Sequence, residues 1–148
     1  ETLYNGDCTR TVVHGDIPDE VARMHQDVVD AKAAAEAVSK VGTTGEDVHK
    51  AACAVFLDRG RHIGLPPAGD DDSIACYTHG TGHGIGLEVH ETPLLDRAGP
   101  PLVEGDALTV EPGLYCKAIG GIRVEDMVIV RPDGCENLNT IHMGLVWK

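Results

Sequence analysis

Between Pro18 and Val41 the apolar residues Val21, Met24, Val28, Ala31, Ala35 and Val38 recur at steps of three and four, with charged and amide side chains between them. That spacing lays one apolar stripe along a helix, so a helix is predicted here, opened near Pro18 and ended by Gly42. A second helix is predicted directly after it. Thr43 or Thr44 caps this one, Glu46 and Asp47 face its positive N-terminal end, Val48, Ala52 and Val55 form its buried side, and Gly60 stops it.

Farther along the chain the period changes to two. Ala107 to Tyr115 and Gly121 to Val130 read as strands. Alternation puts Thr109 and Glu111 on one face of the first; in the second, Arg123 and Glu125 share a face and Val124, Val128 and Val130 take the other. A glutamate at the centre of each strand is costly to bury alone, so something must neutralise both. Near the start, Asn5-Gly6 between β-favouring runs predicts a hairpin turn into a strand from Asp7 to Val13. Its first arm is so short that the sequence is expected to begin inside a larger sheet. Gly99-Pro100-Pro101 and Pro132-Asp133-Gly134 read as turns, and Leu145, Val146 and Trp147 as a final packed strand. Residues 61–75, with Pro66-Pro67 and Asp70-Asp71-Asp72, read as an exposed acidic loop, since three adjacent carboxylates lack the alternating ligands of a calcium loop.

Composition narrows the function. A chain of 148 residues is long enough for one domain with a real core, and 42% hydrophobic residues without an apolar run of membrane-spanning length describe a globular chain. The net charge of −12 repels anionic partners, so neither nucleic acid nor an acidic membrane is expected to bind, and it suits a surface adapted to high salt. The five cysteines are odd in number and widely spaced, without a C-x-x-C pair. They are expected to be reduced, mostly buried thiols of a cytoplasmic protein.

The chemistry concentrates from His79 to Glu91, HGTGHGIGLEVHE, which holds three of the eight histidines and four glycines. Glycine lets backbone approach a ligand, and histidine binds metals or moves protons near neutral pH. Asp7, His83, Glu111 and Glu125 make a carboxylate-rich set with one imidazole, suited to manganese, cobalt, iron or zinc. Taken singly these residues have plainer readings: loop histidines, a turn aspartate, and strand charges that discourage aggregation. His14, His25, His49, His62 and His142 have no such context.

The motifs GDCTRT around Asp7, HGTGHGIGLEVHETP from His79, LTVEPGLY from Leu108 and GGIRVEDMVIV from Gly120 occur in one order along the chain. Together they resemble the Xaa-Pro peptidases, aminopeptidase P and prolidase, of the pita-bread fold. The resemblance implies an α+β domain, a curved antiparallel sheet with flanking helices, and metal-dependent cleavage of the peptide bond before proline in a peptide substrate. It implies two divalent ions, manganese first with cobalt or zinc behind it, that activate water and polarise the scissile carbonyl. Asp7, His83, Glu111 and Glu125 match the metal ligands, and Glu111 also matches the general base. His90 matches a histidine touching the substrate near the scissile bond, His79 one lining the site of the following residue, and Arg123 a cation that orients the ligands.

The family's first aspartate ligand lies upstream of the one matched by Asp7, at a spacing that falls before Glu1. Residues 1–148 are therefore expected to be part of the catalytic domain, without the family's N-terminal domain, and to be weak in metal binding and inactive in isolation. The full-length protein is expected to be a homodimer. Methionine aminopeptidase shares fold and metals, but the arginine of Arg123-Val124-Glu125-Asp126 speaks for Xaa-Pro cleavage. Intact carboxylates count against metal-free creatinase, and a silent pita-bread module that binds another protein is the alternative of a different class.

Overall fold

A computed structural model describes residues 3–69 and 72–146 of the chain. Helix α1 spans Asp19–Val38, with Pro18 at its extended N-cap and Asp19 and Glu20 in its first turn. Its stripe is buried as the spacing predicts: Met24, Val28, Ala31 and Ala35 are fully inaccessible. Gly42, at φ +86°, takes the left-handed turn that leads the chain out of the helix. Helix α2 spans Gly45–Asp58, and the Thr44 hydroxyl accepts the Asp47 amide at 3.0 Å, satisfying one of the free donors at the helix start. Val48, Ala52 and Phe56 are its buried residues, while Val55 is half-buried.

Among the described residues nine short strands follow: β1 His62–Ile63, β2 Cys76–Tyr77, β3 Gly82–Gly84, β4 Glu91–Leu95, β5 Ala107–Val110, β6 Gly113–Cys116, β7 Gly120–Arg123, β8 Asp126–Arg131 and β9 Gly134–Asn137. They form two sheets. One has the order β1-β2-β6-β7 with β1 and β2 parallel; the other is antiparallel throughout, in the order β4-β3-β5-β8-β9. Helix α1 packs on α2 and against strands of both sheets, β5 and β9 on one and β6 and β7 on the other. The core between these layers centres on Phe56, Tyr77, Leu95, Leu108, Leu114, Val124 and Val128.

The two long strands expected from alternation are each broken in the middle. β5 belongs to the five-stranded sheet and β6 to the other, and the chain steps between them at Glu111-Pro112. Pro112 has no N–H for a ladder, and the Glu111 amide leaves the strand pairing to bond the Thr81 carbonyl at 2.7 Å. β7 and β8 are parted in the same way at Val124-Glu125, where the Glu125 amide bonds the Thr9 carbonyl at 3.0 Å. Both glutamates therefore sit at passages between sheets, not at strand centres.

The hairpin expected at Asn5-Gly6 does not form. The Asn5 amide groups are spent on the Gly86 and Leu87 carbonyls, so this residue fastens the start of the chain to the histidine loop instead of turning it back. Asp7 to Val13 lies outside the ladders. Leu145 and Val146 lie outside any strand, and Trp147, like Asp70 and Asp71, is outside the described residues. The exposed loop expected over residues 61–75 holds only in part: Asp72 is exposed, but His62–Ile63 forms the half-buried β1, paired with β2, and Ala75 is buried. None of the thiols is in a disulfide; Cys76 and Cys116 are buried and Cys53 and Cys135 half-buried, but Cys8 is exposed. Among the described residues no helix is long and apolar enough to cross a membrane.

Candidate metal centre

The sheet passages and the N-terminal segment converge on one place. Ligand atoms of Asp7, His83 and Glu125 all lie within 4.8 Å of one another. His83 is on β3, between Gly82 and Gly84. A Cβ at Gly82 would overlap the Thr109 carbonyl of β5, and one at Gly84 would overlap the Thr92 carbonyl of β4, so only glycine lets β3 lie this tightly between its neighbours. The His83 Nδ1 faces the Gly84 carbonyl at 3.0 Å, which fixes the proton there and leaves Nε2 free to bind. Glu111 approaches that atom, its Oε1 at 3.2 Å from His83 Nε2.

Arg123 secures the other oxygen of Glu111, with Nη1 3.1 Å from Oε2. The same guanidinium donates to the Tyr115 hydroxyl from Nε at 2.9 Å and from Nη2 at 2.7 Å. Tyr115 then donates to His79 Nε2 at 2.8 Å, while His79 Nδ1 donates to the Gly80 carbonyl at 2.7 Å. Burial pushes the His79 imidazole below its ordinary range, and the nearby Arg123 charge adds to the effect. His79 is thus a neutral ring held in one tautomer. His90 stands at the exposed mouth, its ring edge-on to His83 with centroids 4.4 Å apart. Together His79, His83, His90, Leu94, Glu111 and Arg123 line much of a cleft of about 310 Å³.

Glu125 is only 2% exposed. Burial drives its carboxyl above the ordinary range; Glu111 and Asp7 push the same way, while the Thr9 hydroxyl and Arg123 act against them. Carboxylates crowded in a poorly solvated place repel one another, and a divalent cation among them would turn that repulsion into attraction. The donor chemistry, three carboxylates and one imidazole with a free Nε2, fits such an ion.

The site also uses residues not singled out as candidates in the sequence. Thr9 donates to Glu125 Oε2, and the Thr109 hydroxyl meets both the His83 amide at 3.1 Å and Glu111 Oε1 at 3.4 Å. Tyr115 joins Arg123 to His79. Behind them His49 on α2 meets the Thr81 hydroxyl at 2.9 Å, which meets Tyr77 at 2.7 Å. Thr9, Thr109 and Tyr115 all fall inside the motifs around the ligands, and that adjacency is the signal that could have found them. His49 has none in sequence, because its partner is 32 residues away.

The chain has counterparts among known proteins. An uncharacterized peptidase of Bacillus subtilis, YqhT, is 40% identical over 132 residues, covering 88% of this chain and 34% of that protein. The Xaa-Pro dipeptidase of Pyrococcus furiosus is 32% identical over 144 residues, covering 97% of this chain and 38% of that one. The crystal structure of X-Pro aminopeptidase from Thermotoga maritima superposes with a TM-score of 0.85 at 34% identity, over 97% of this chain and 37% of that one. The chain spans little more than a third of the length of these relatives, and over that span it has part of their pita-bread architecture. The pattern of metallopeptidase family M24 matches residues 2–132, the stretch that carries Asp7, His83, Glu111 and Glu125, and the chain belongs to that family.

Proposed function

We propose that the protein acts in metal-dependent hydrolysis of the peptide bond preceding proline, with Asp7, His83, Glu111 and Glu125 holding two divalent ions, manganese by preference. The observation that carries this reading is the convergence of Asp7, His83 and Glu125 ligand atoms within 4.8 Å, with Glu111 against His83. The Xaa-Pro names of the relatives support the substrate class.

Ions held there supply the charge that acidifies a water and polarises the scissile carbonyl. The chain's own residues do the rest. Arg123 holds Glu111 by Oε2, leaving Oε1 to take the proton of the attacking water. His83 offers Nε2 because its Nδ1 proton is committed to Gly84. A bond before proline has no N–H to satisfy, so its site needs shape more than donors. The neutral His79 ring, 5.2 Å from Tyr77 and 5.4 Å from Tyr115, offers an aromatic wall for the pyrrolidine. His90 at the mouth contacts the residue on the other side of the bond. A cytoplasmic setting belongs to the same reading, resting on the odd number and wide spacing of the five cysteines.

The test is calorimetric titration of manganese, followed by hydrolysis of Xaa-Pro and Met-Ala peptides. Both are run on this chain and on a form extended upstream to include the aspartate that the resemblance implies. Binding with cleavage of Xaa-Pro alone supports the proposal. Cleavage of Met-Ala would make the protein a methionine aminopeptidase, and neither binding nor cleavage in either form would leave a protein-binding module.

A further inference from the structure

We propose that Arg10 and Asp126 are positioning residues that set the register of the Asp7 segment against Glu125, and so bring two metal ligands from opposite ends of the chain face to face. This rests on the metal-centre reading. The segment from Asp7 to Val13 is in no ladder. Where it passes Glu125, the backbone bond is that from the Glu125 amide to the Thr9 carbonyl. One such bond specifies register weakly, and a slip of one residue turns every side chain to the other face.

Side chains fix what the backbone leaves loose. Thr9 and Arg10, adjacent in the chain, each take a different neighbour across the contact, Glu125 and Asp126. Thr9 donates to the Glu125 carboxylate. Arg10 meets Asp126, Nη2 to Oδ1 at 2.5 Å. A slip by one residue would break both pairs together. The Arg10 fork also donates from Nη1 to the Glu125 carbonyl at 2.5 Å and to the Thr9 carbonyl at 2.9 Å, so one guanidinium grips both segments. Its Nη2 and Nε reach the Ile141 and His142 carbonyls at 3.0 and 3.2 Å. Only a planar, multiply donating cation makes these contacts at once; a lysine cannot.

Asp126 is itself pinned from behind. Its Oδ2 accepts Lys32 Nζ from α1 at 2.6 Å and Asn137 Nδ2 at 2.9 Å, and Lys32 also pairs with Glu36 at 2.7 Å. The side chains of Arg10, Asp126 and Lys32 are 7%, 3% and 3% exposed. A buried ion network of this kind is often replaceable by apolar residues without loss of stability, so stability alone is a poor reason for it. Register is a better one.

The experiment compares Arg10→Met, Arg10→Lys and Lys32→Met with the unaltered chain. The readouts are cobalt(II) titration by visible absorbance, thermal unfolding, and hydrogen exchange of the Glu125 amide without metal. Arg10→Met is expected to weaken cobalt binding about tenfold or more, the size seen when groups supporting a ligand are lost. It is also expected to change the cobalt band and speed Glu125 exchange. Arg10→Lys, which keeps the charge on Asp126 but not the fork, should fall between. Lys32→Met removes the cation behind Asp126 without touching the Asp7 segment, so it should lower the unfolding temperature and weaken cobalt binding by less than Arg10→Met does. Cobalt binding and Glu125 exchange in Arg10→Lys equal to the unaltered chain would overturn the inference while leaving the metal centre standing, and this holds even if Arg10→Met does not fold. No cobalt uptake by either the unaltered chain or the form extended upstream would overturn both.

Discussion

The helix pair and the two sheet passages are built on opposite terms. Along α1 and α2, Met24, Val28, Val48, Ala52 and Phe56 leave water completely, and burial of such surface is what favours folding. At Glu111 and Glu125 the chain instead buries carboxylates, 9% and 2% exposed, beside Asp7 and each other. Arg123 answers one oxygen of Glu111; the remaining crowding of carboxylates opposes folding unless a further cation is present. Stability and chemistry therefore sit on different residues, and a substitution should disturb one far more than the other.

The sharpest break of this contrast is on the helix side. Phe56→Ala removes a fully buried ring that packs 4.9 Å from Tyr77. It should cost about 3–5 kcal/mol in urea unfolding, while manganese affinity per folded molecule stays within about twofold, since Phe56 touches no candidate ligand. Glu125→Gln is the mirror case. Metal affinity should fall at least about 100-fold, or about 2.7 kcal/mol, while the metal-free protein unfolds at the same or a higher temperature because a crowded carboxylate is gone. A clear loss of metal-free stability in this variant would sink the contrast.

The smallest effect is the pH dependence. Glu125 is raised by burial, so its contribution to metal-free stability is full below the ordinary value of 4.5 and is lost as pH rises through the raised value. Cation affinity should strengthen over the same window, because the ion displaces that proton. His49 and His79 are depressed by burial, so their contribution is present above 6.5 and is lost as pH falls through their lowered values. Unfolding temperatures across pH, with and without Glu125→Gln, separate the two: the substitution should flatten the acidic window and leave the histidine one unchanged.

How far the molecule could be read from its sequence follows the same division. The helices were legible because the spacing from Val21 to Val38 depends on local geometry, and Thr44 and Gly42 act within a few residues. The candidate ligands were drawn from motif order, and the structure brings Asp7, His83 and Glu125 together; continuous alternation hid that the chain changes sheets at Glu111-Pro112 and at Val124-Glu125. Asn5 misled because its hairpin signal is local, whereas the Gly86 and Leu87 carbonyls that claim it are more than 80 residues away. Lys32 was invisible for the same reason: an apolar stripe does not announce a buried cation whose partner is Asp126.

That separation in sequence also has a kinetic meaning. The Thr9–Glu125 bond closes a loop of 116 residues, while the helix pair needs only its own neighbourhood. Contacts between distant residues carry the largest closure entropy and slow folding. The bond is made when the two ends of the chain meet, so the metal-binding geometry should be among the last parts of the molecule to assemble. A cation that recognises only this completed geometry stabilises the finished fold without guiding its early steps, and its loss is felt first as faster unfolding, not slower folding.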